Sequence, residues 1–262
     1  MNRLITHLLP LLFLFTFTFA LPVEAEITSI SSAINKAGRQ RMLTQRMVKS
    51  YCMIGIDVQT DVAEKQLKKA IDLFDLQLSE LNAYSHTKLI IDSLDKVETL
   101  WLPFKKILQS PVNRENAQTL LDTNDELLRA TNKVVLMLQD VSGDSFGRLV
   151  NISGRQRMLS QRLAKFYMLR AWKFNNSEIN SGMTQSRNEF KGALAELISA
   201  RENSPAIQAE LEKASMQWDL FDHGLDRDIN NLVPLIAALS SEKVLITMNK
   251  ITGMYVELSS NK

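Results

Sequence analysis

The sequence predicts an all-α protein made of two tandem up-down-up-down four-helix bundles. Apolar residues recur at alternating steps of four and three, which is the spacing of a helical bundle seam. Glycine and proline are scarce, at 9 and 6 of 262 residues, and no stretch has the β-branched alternation of a strand. One segment also occurs twice, so we expect two copies of a single helical unit.

The repeated segment identifies the unit. Residues 38–47, GRQRMLTQRM, recur 116 positions later as residues 154–163, GRQRMLSQRL. Trp101 and Trp218 match at an offset of 117, as do the tripeptides that begin at Asn132 and Asn249. The duplication therefore spans about 115 residues per copy, and the repeated segment is expected on the first helix of each copy.

The first copy is expected to contain helices over 27–58, 62–84, 88–109 and 114–140. Asp61 and Asn113 are candidate N-caps, and Pro111 marks a break before the fourth helix.

The second copy is expected to contain helices over 145–174, 179–203, 205–223 and 225–259. Ser204 followed by Pro205 is typical of a helix start, and Pro234 predicts that the last helix kinks or begins later. The short link around Gly143 favours two parallel, neighbouring motif helices; a continuous helix across this link is the alternative.

The N-terminus predicts export. A basic start, an apolar run from Leu8 to Leu21 and Val23-Glu24-Ala25 have the form of a signal peptide over residues 1–25. An uncleaved N-terminal anchor is the alternative, although the run is shorter than the roughly 20 residues of a membrane-spanning helix. We expect a periplasmic protein with repeats at 26–140 and 145–260.

Composition excludes several classes of function. A net charge of +2 does not indicate a nucleic-acid partner. Cys52 is the only cysteine and three histidines do not match between the copies, so we expect no disulfide, metal site or cofactor. No pairing of a nucleophile with a base recurs in both copies, and we predict that the protein is not an enzyme.

Each motif helix has an apolar seam interrupted by one arginine, Arg41 or Arg157, with Gly38 or Gly154 one turn earlier. A mid-helix glycine costs about 1 kcal/mol relative to alanine, which favours close approach of a helix or a ligand. Two arginines facing each other would repel, and a small planar anion would relieve this. Thr44, Ser160, Gln45 and Gln161 are further candidate ligand-binding residues. The alternative is a structural ion pair of Arg41 with Asp72, Asp75 or Glu80.

The pattern Ile34-Asn35-x-Ala37-Gly38-x-x-Arg41-Met42-x-Thr44-x-Arg46 resembles the signature helix of a known sensor domain. That periplasmic domain is shared by NarX-type nitrate/nitrite sensor kinases and the type IV pilus chemoreceptor PilJ, and this version is closer to PilJ. The resemblance implies a four-helix bundle that dimerises and holds one nitrate between two motif arginines. Those arginines correspond to Arg41 and Arg157.

Two departures shape the functional hypothesis. The family carries one motif per chain and this chain carries two, so the duplication is expected to place both halves of the site in one chain, although a homodimer stays open. The family's second membrane helix, HAMP-type linker and output domain have no counterpart here. We expect an exported sensor-type protein that binds nitrate or nitrite without its own output domain. The alternative is a ligand-free helical protein that docks on a chemoreceptor or sensor kinase.

Overall fold

In the computed structural model, which describes residues 27–85, 87–225 and 233–260, the chain is helical nearly throughout. The helices are α1 (Ile30–Gly55), α2 (Thr60–Tyr84), α3 (Lys88–Leu108), α4 (Arg114–Ser142), α5 (Ser145–Ala171), α6 (Ser177–Ile198), α7 (Pro205–Leu225) and α8 (Pro234–Ser260). No strand occurs in these ranges. The predicted all-α class is confirmed.

Each repeat is a four-helix bundle closed by its first and last helices. In the first repeat α1 packs against α2 and α4, and α3 packs against α4. In the second repeat α5 packs against α6 and α8, and α7 packs against α8. The stacked pairs Phe74–Trp101 and Phe190–Trp218 fill equivalent core positions, with ring centroids 4.1 and 3.8 Å apart.

The two bundles are joined mainly along α1 and α5, the helices that carry the repeated segment. Near their N-terminal ends, Gly147 lies against the side chain of Ile34. At their C-terminal ends, Gly55 lies against the ring of Trp172. The motif helices are therefore parallel and adjacent, as the short link between the repeats predicts.

The link itself breaks the helix. Gly143 ends α4 with a φ of 66°, and the side chain of Asp144 accepts a hydrogen bond from the backbone N–H of Gly147 to begin α5. A left-handed φ suits glycine, which lacks a Cβ. The alternative of one continuous helix across the junction is wrong.

Several predicted helix boundaries need correction. Asp61 is not the N-cap of α2, because Gln59 adopts a left-handed conformation and the helix begins at Thr60. Helix α6 ends at Ile198 and not at residue 203. The side chain of Asn203 instead donates a hydrogen bond to the carbonyl of Leu197 at the end of this helix (2.8 Å). Asn113 and Ser204 cap α4 and α7 as predicted.

Pro234 occupies the first position of α8, so the last helix begins later instead of kinking. This position suits proline, because the N–H that it lacks would have no partner within the helix. The predicted signal peptide lies outside the described residues. Within the described ranges, no helix is both long and apolar enough to cross a membrane.

Candidate functional site

Arg41 on α1 and Arg157 on α5 lie in the interior, at the contact between the repeats. Their side chains are 1% and 0% exposed, which makes them two of the largest fully buried groups in the described chain. In the described residues, no ion pair joins a carboxylate to either of these arginines. Two guanidiniums are thus buried together without a carboxylate partner in this part of the chain, and burial of unpaired positive charge is costly.

Neutral oxygens hold the two guanidiniums in a pseudo-two-fold pattern. In the first half, Nη1 of Arg41 donates to Oδ1 of Asn132 on α4 (2.8 Å), and Nη2 donates to the backbone carbonyl of Asn151 (3.2 Å).

The second half repeats these bonds. Nη1 of Arg157 donates to Oδ1 of Asn249 on α8 (2.9 Å), and Nη2 donates to the backbone carbonyl of Asn35 (3.2 Å). Each arginine thus bonds one asparagine of its own repeat and one carbonyl of the other.

The two motif glycines make room for the guanidiniums. A Cβ on Gly38 would lie 3.4 Å from Nη2 of both Arg41 and Arg157. A Cβ on Gly154 would lie 3.0 Å from Nη2 of Arg157 and 3.7 Å from that of Arg41. Both guanidiniums therefore lie side by side over the two glycines, which explains the glycines in the middle of helices.

The site is strongly electropositive. Burial, and then the charge of Arg155, lowers the pKa of Arg41 to about 9. Burial, and then the charges of Arg39 and Arg41, lowers the pKa of Arg157 well below its ordinary value. Both pKa values are lowered because, in the described part of the chain, neither charged guanidinium has a negative charge beside it to compensate for burial. An anion between the guanidiniums would raise both pKa values.

The acidic partners considered for Arg41 are used elsewhere. Asp72 pairs with Lys68 at 2.8 Å, and Glu80 pairs with Lys36 at 2.7 Å. Asp75 accepts from Nε1 of Trp101 (2.7 Å) and pairs with Lys105 (2.6 Å). The structural ion-pair interpretation of Arg41 therefore has no support in the described residues.

The four neutral side chains predicted beside the arginines are buried but bond to other groups. The hydroxyls of Thr44 and Ser160 donate to the carbonyls of Arg41 and Arg157, at 2.8 and 2.9 Å. Nε2 of Gln45 donates to the Thr44 hydroxyl (2.9 Å), and Nε2 of Gln161 donates to the carbonyl of Ser241 (3.2 Å). None of these bonds reaches a guanidinium, so the arginines and glycines form the centre of the site.

Sequence reasoning missed the two asparagines that hold the arginines. Asn132 and Asn249 begin tripeptides that recur at the offset of 117, so the signal was present in the repeat. Asn35 and Asn151 also recur, at the offset of 116, but the role of their backbone carbonyls was not predictable because it depends on how α1 and α5 pack.

A second buried polar layer lies further along the same helices. Nζ of Lys49 pairs with Glu242 of α8 (2.5 Å), and Nζ of Lys165 donates to Oδ1 of Asn124 of α4 (2.8 Å). Burial is the largest influence on both amines and lowers their pKa values to about 8 and about 7. These contacts connect each motif helix to the last helix of the other repeat.

Metal or thiol chemistry has no support in the described residues. No cluster of three or more candidate metal ligands occurs there. Cys52 is fully buried, and burial raises the pKa of its thiol to about 12. The thiol therefore packs as a small core side chain.

Comparison with known proteins identifies the family. No curated protein and no solved structure matches the chain. The family described as the type IV pili methyl-accepting chemotaxis transducer N-terminal domain, PilJ, matches twice, over residues 25–127 and 142–246. These two matches cover most of the chain and each includes one motif helix, so the chain belongs to the PilJ family of chemotaxis-transducer sensor domains, with two copies in tandem.

Proposed function

We propose that this chain is an exported, periplasmic sensor-type protein that binds one small anion, nitrate or nitrite, between Arg41 and Arg157. The observation that carries the proposal is the pair of fully buried guanidiniums that meet at the contact between the repeats. An anion between the two guanidiniums would offset part of their positive charge and would accept charge-assisted hydrogen bonds from each of them.

The unused donors favour a trigonal oxyanion. A guanidinium has five N–H groups, and the protein accepts from only two nitrogens of each arginine. Nε of Arg41 and Nε of Arg157 are buried without an acceptor in the described residues. Nitrate and nitrite present two or more oxygens to such donors in a plane, whereas sulfate is larger and loses more hydration free energy on burial.

The pseudo-two-fold bonding supports one site within one chain. Arg41 and Arg157 each donate to a backbone carbonyl of the other repeat, so both halves of the site are already in contact. A homodimer is not needed to bring two motif arginines together.

Thermal unfolding of the purified protein in nitrate, nitrite, chloride and sulfate tests the proposal. A ligand at 100 times its dissociation constant stabilises by about 2.7 kcal/mol, which moves the midpoint by a few degrees. We expect a shift specific to nitrate or nitrite that is lost in Arg41→Met and in Arg157→Met. Arg148→Met is the matched control, because Arg148 is an exposed arginine of α5. Equal shifts in all four salts would overturn the proposal.

A second candidate function, docking on the sensor bundle of a chemoreceptor or kinase, has one observation in its favour. Helix α8 exposes an apolar outer face, whereas the equivalent face of α4 is polar. Leu235, Leu239 and Ile246 of α8 are 41%, 47% and 68% exposed, and their equivalents in α4 are Gln118, Asp122 and Arg129. An exposed apolar face is typical of a binding surface.

Docking and anion binding are separable by mutation. If α8 binds a receptor bundle, Leu239→Glu should abolish the complex, and Arg41→Met should leave it intact. Leu89→Glu is the matched control, because Leu89 is an exposed leucine on α3. A complex that survives Leu239→Glu would rule out this surface.

A further inference from the structure

The surfaces that cover the arginine pair differ between the two repeats. A groove of about 420 Å³ lies between α1 and α2 of the first repeat and α8 of the second. Arg39, Arg46 and Asn249 line it, and the exposed side chain of Ile246 forms part of its wall. The groove therefore opens at the contact between the repeats.

Asn249 separates this groove from the buried site. Its side chain lines the groove and is exposed, and its Oδ1 accepts the hydrogen bond from Nη1 of Arg157 (2.9 Å). Arg157 itself is 0% exposed. One neutral side chain thus touches solvent on one side and the guanidinium on the other.

The groove also has the charge needed to attract an anion. Arg39, Arg46 and Glu242 line it, and Glu242 pairs with Arg46 at 2.6 Å, so that the lining keeps a net positive charge. The charge of Arg39 lowers the pKa of Arg157, after the larger effect of burial, so the positive charge of the groove acts on the buried guanidinium. Arg155 acts on Arg41 in the same way on the other side. Clefts lined by positive charge raise the local concentration of anions.

The equivalent position on the other side of the pseudo-two-fold is built differently. Glu189 replaces Leu73 of the groove wall and pairs with Arg155 at 2.7 Å. Arg129 replaces Ile246, and Asn132, the equivalent of Asn249, is half-buried. Among the described residues, this side therefore has two carboxylates, Glu189 and Asp125, where the groove has one, Glu242. The additional negative charge opposes the approach of an anion.

We propose that the groove between α1, α2 and α8 is the access route of the anion, and that the side chain of Asn249 is its inner gate. This inference rests on the proposed anion site. The site itself is nearly symmetric, but the anion enters it from one side only. The anion passes Arg39, and the Asn249 side chain moves away from Arg157 to admit it. The anion then bonds the guanidinium donors that the described residues leave unused.

Blocking the groove after folding tests the route. Ile246→Cys places a thiol on the groove wall, and Arg129→Cys places one at the equivalent exposed position of α4. Each variant is labelled with a fluorescein maleimide. The native Cys52 is buried and its pKa is raised to about 12, so it stays unlabelled. Labelling follows folding, so the adduct cannot prevent the protein from folding.

Nitrate exchange is followed by the Nε–H resonance of Arg157 in protein labelled with 15N-arginine, assigned with Arg157→Lys. We expect the Ile246→Cys adduct to slow exchange by at least about tenfold, and the Arg129→Cys adduct to leave it unchanged. We expect unlabelled Asn249→Ala to exchange faster than the wild type.

The outcomes distinguish the two proposals. Equal exchange rates in both adducts, with a nitrate-dependent resonance still present, would overturn the access route and leave the anion site standing. A resonance of Arg157 that nitrate does not move in the unlabelled protein would overturn the anion site, and the access route with it.

Discussion

Arg41 and Arg157 make equivalent hydrogen bonds, and each arginine bonds both its own repeat and the other repeat. Each donates through Nη1 to an asparagine of its own repeat, Asn132 or Asn249, and through Nη2 to a backbone carbonyl of the other repeat. The guanidiniums are therefore oriented before any anion arrives. Orientation by the protein lowers the entropy cost of binding.

This orientation predicts that the shape of the guanidinium matters as well as its charge. Arg41→Lys keeps one positive charge but lacks the planar guanidinium, which can bond Asn132 and a trigonal anion at the same time. We expect the nitrate-dependent rise of the thermal midpoint to be lost in this variant. Arg148→Lys, on the exposed side of α5, should behave as wild type. A full nitrate response in Arg41→Lys would show that only net charge is needed.

The glycines predict a separate effect on the site. Gly154→Ala places a Cβ 3.0 Å from Nη2 of Arg157, so the guanidinium must move. We expect the nitrate-dependent midpoint shift to fall strongly.

Gly192→Ala is the matched control for this change. Gly192 has no neighbour within 4 Å of the added Cβ, and the substitution should stabilise the protein by up to about 1 kcal/mol without altering the nitrate response. An unchanged response in Gly154→Ala would show that the close contact is not needed for binding.

The fold was largely predictable because duplication and helical periodicity are local patterns. The seam through Ile34, Arg41 and Tyr51 is buried along α1, and the even number of helices per repeat predicts parallel motif helices. The start of α2 was not predictable, because the left-handed backbone of Gln59 follows from no propensity of glutamine.

The site was predictable only in part. Arg41 and Gly38 break the apolar pattern in both copies, so the sequence identifies them. The hydrogen bonds of Thr44 and Gln45 depend on side-chain rotamers that spacing does not determine. Asn249 reaches Arg157 only because α8 packs on α5, a tertiary contact with no local signature.

The contact between the repeats predicts a stability change at its C-terminal end. Gly55→Ala would place a Cβ 2.2 Å from a ring carbon of Trp172, so the indole or the helix must shift. We expect a loss of about 1–3 kcal/mol of unfolding free energy, measured by urea denaturation. Gly253→Ala on α8 has open space around the added Cβ and should not destabilise. Equal stability of the two variants would contradict the tight contact of α1 with α5.

Lys165 predicts a specific dependence of stability on pH. Burial lowers the pKa of its amine from 10.5 to about 7, while Asp125 opposes this shift and Arg162 adds to it. Between about pH 7 and pH 10.5 the unfolded chain therefore binds more protons at this residue than the folded chain does. Stability must rise with pH across this window, by up to about 1.4 kcal/mol per unit. Below pH 7 both states carry the charge, and the full cost of burying it remains.

Lys165→Met tests this dependence. Methionine fills a similar volume without a charge, although Asn124 loses a hydrogen-bond partner. We expect the free energy of unfolding of the variant, measured by urea denaturation, not to rise from pH 7 to pH 9. The variant should therefore be stabilised most, relative to the wild type, near pH 6. Lys133→Met, at an exposed position of α4, should keep the wild-type pH profile. If Lys165→Met kept the rise, the buried amine would not be its source. The second buried polar layer, which contains Lys49 and Lys165, would then make no pH-dependent contribution to the free energy of unfolding through Lys165.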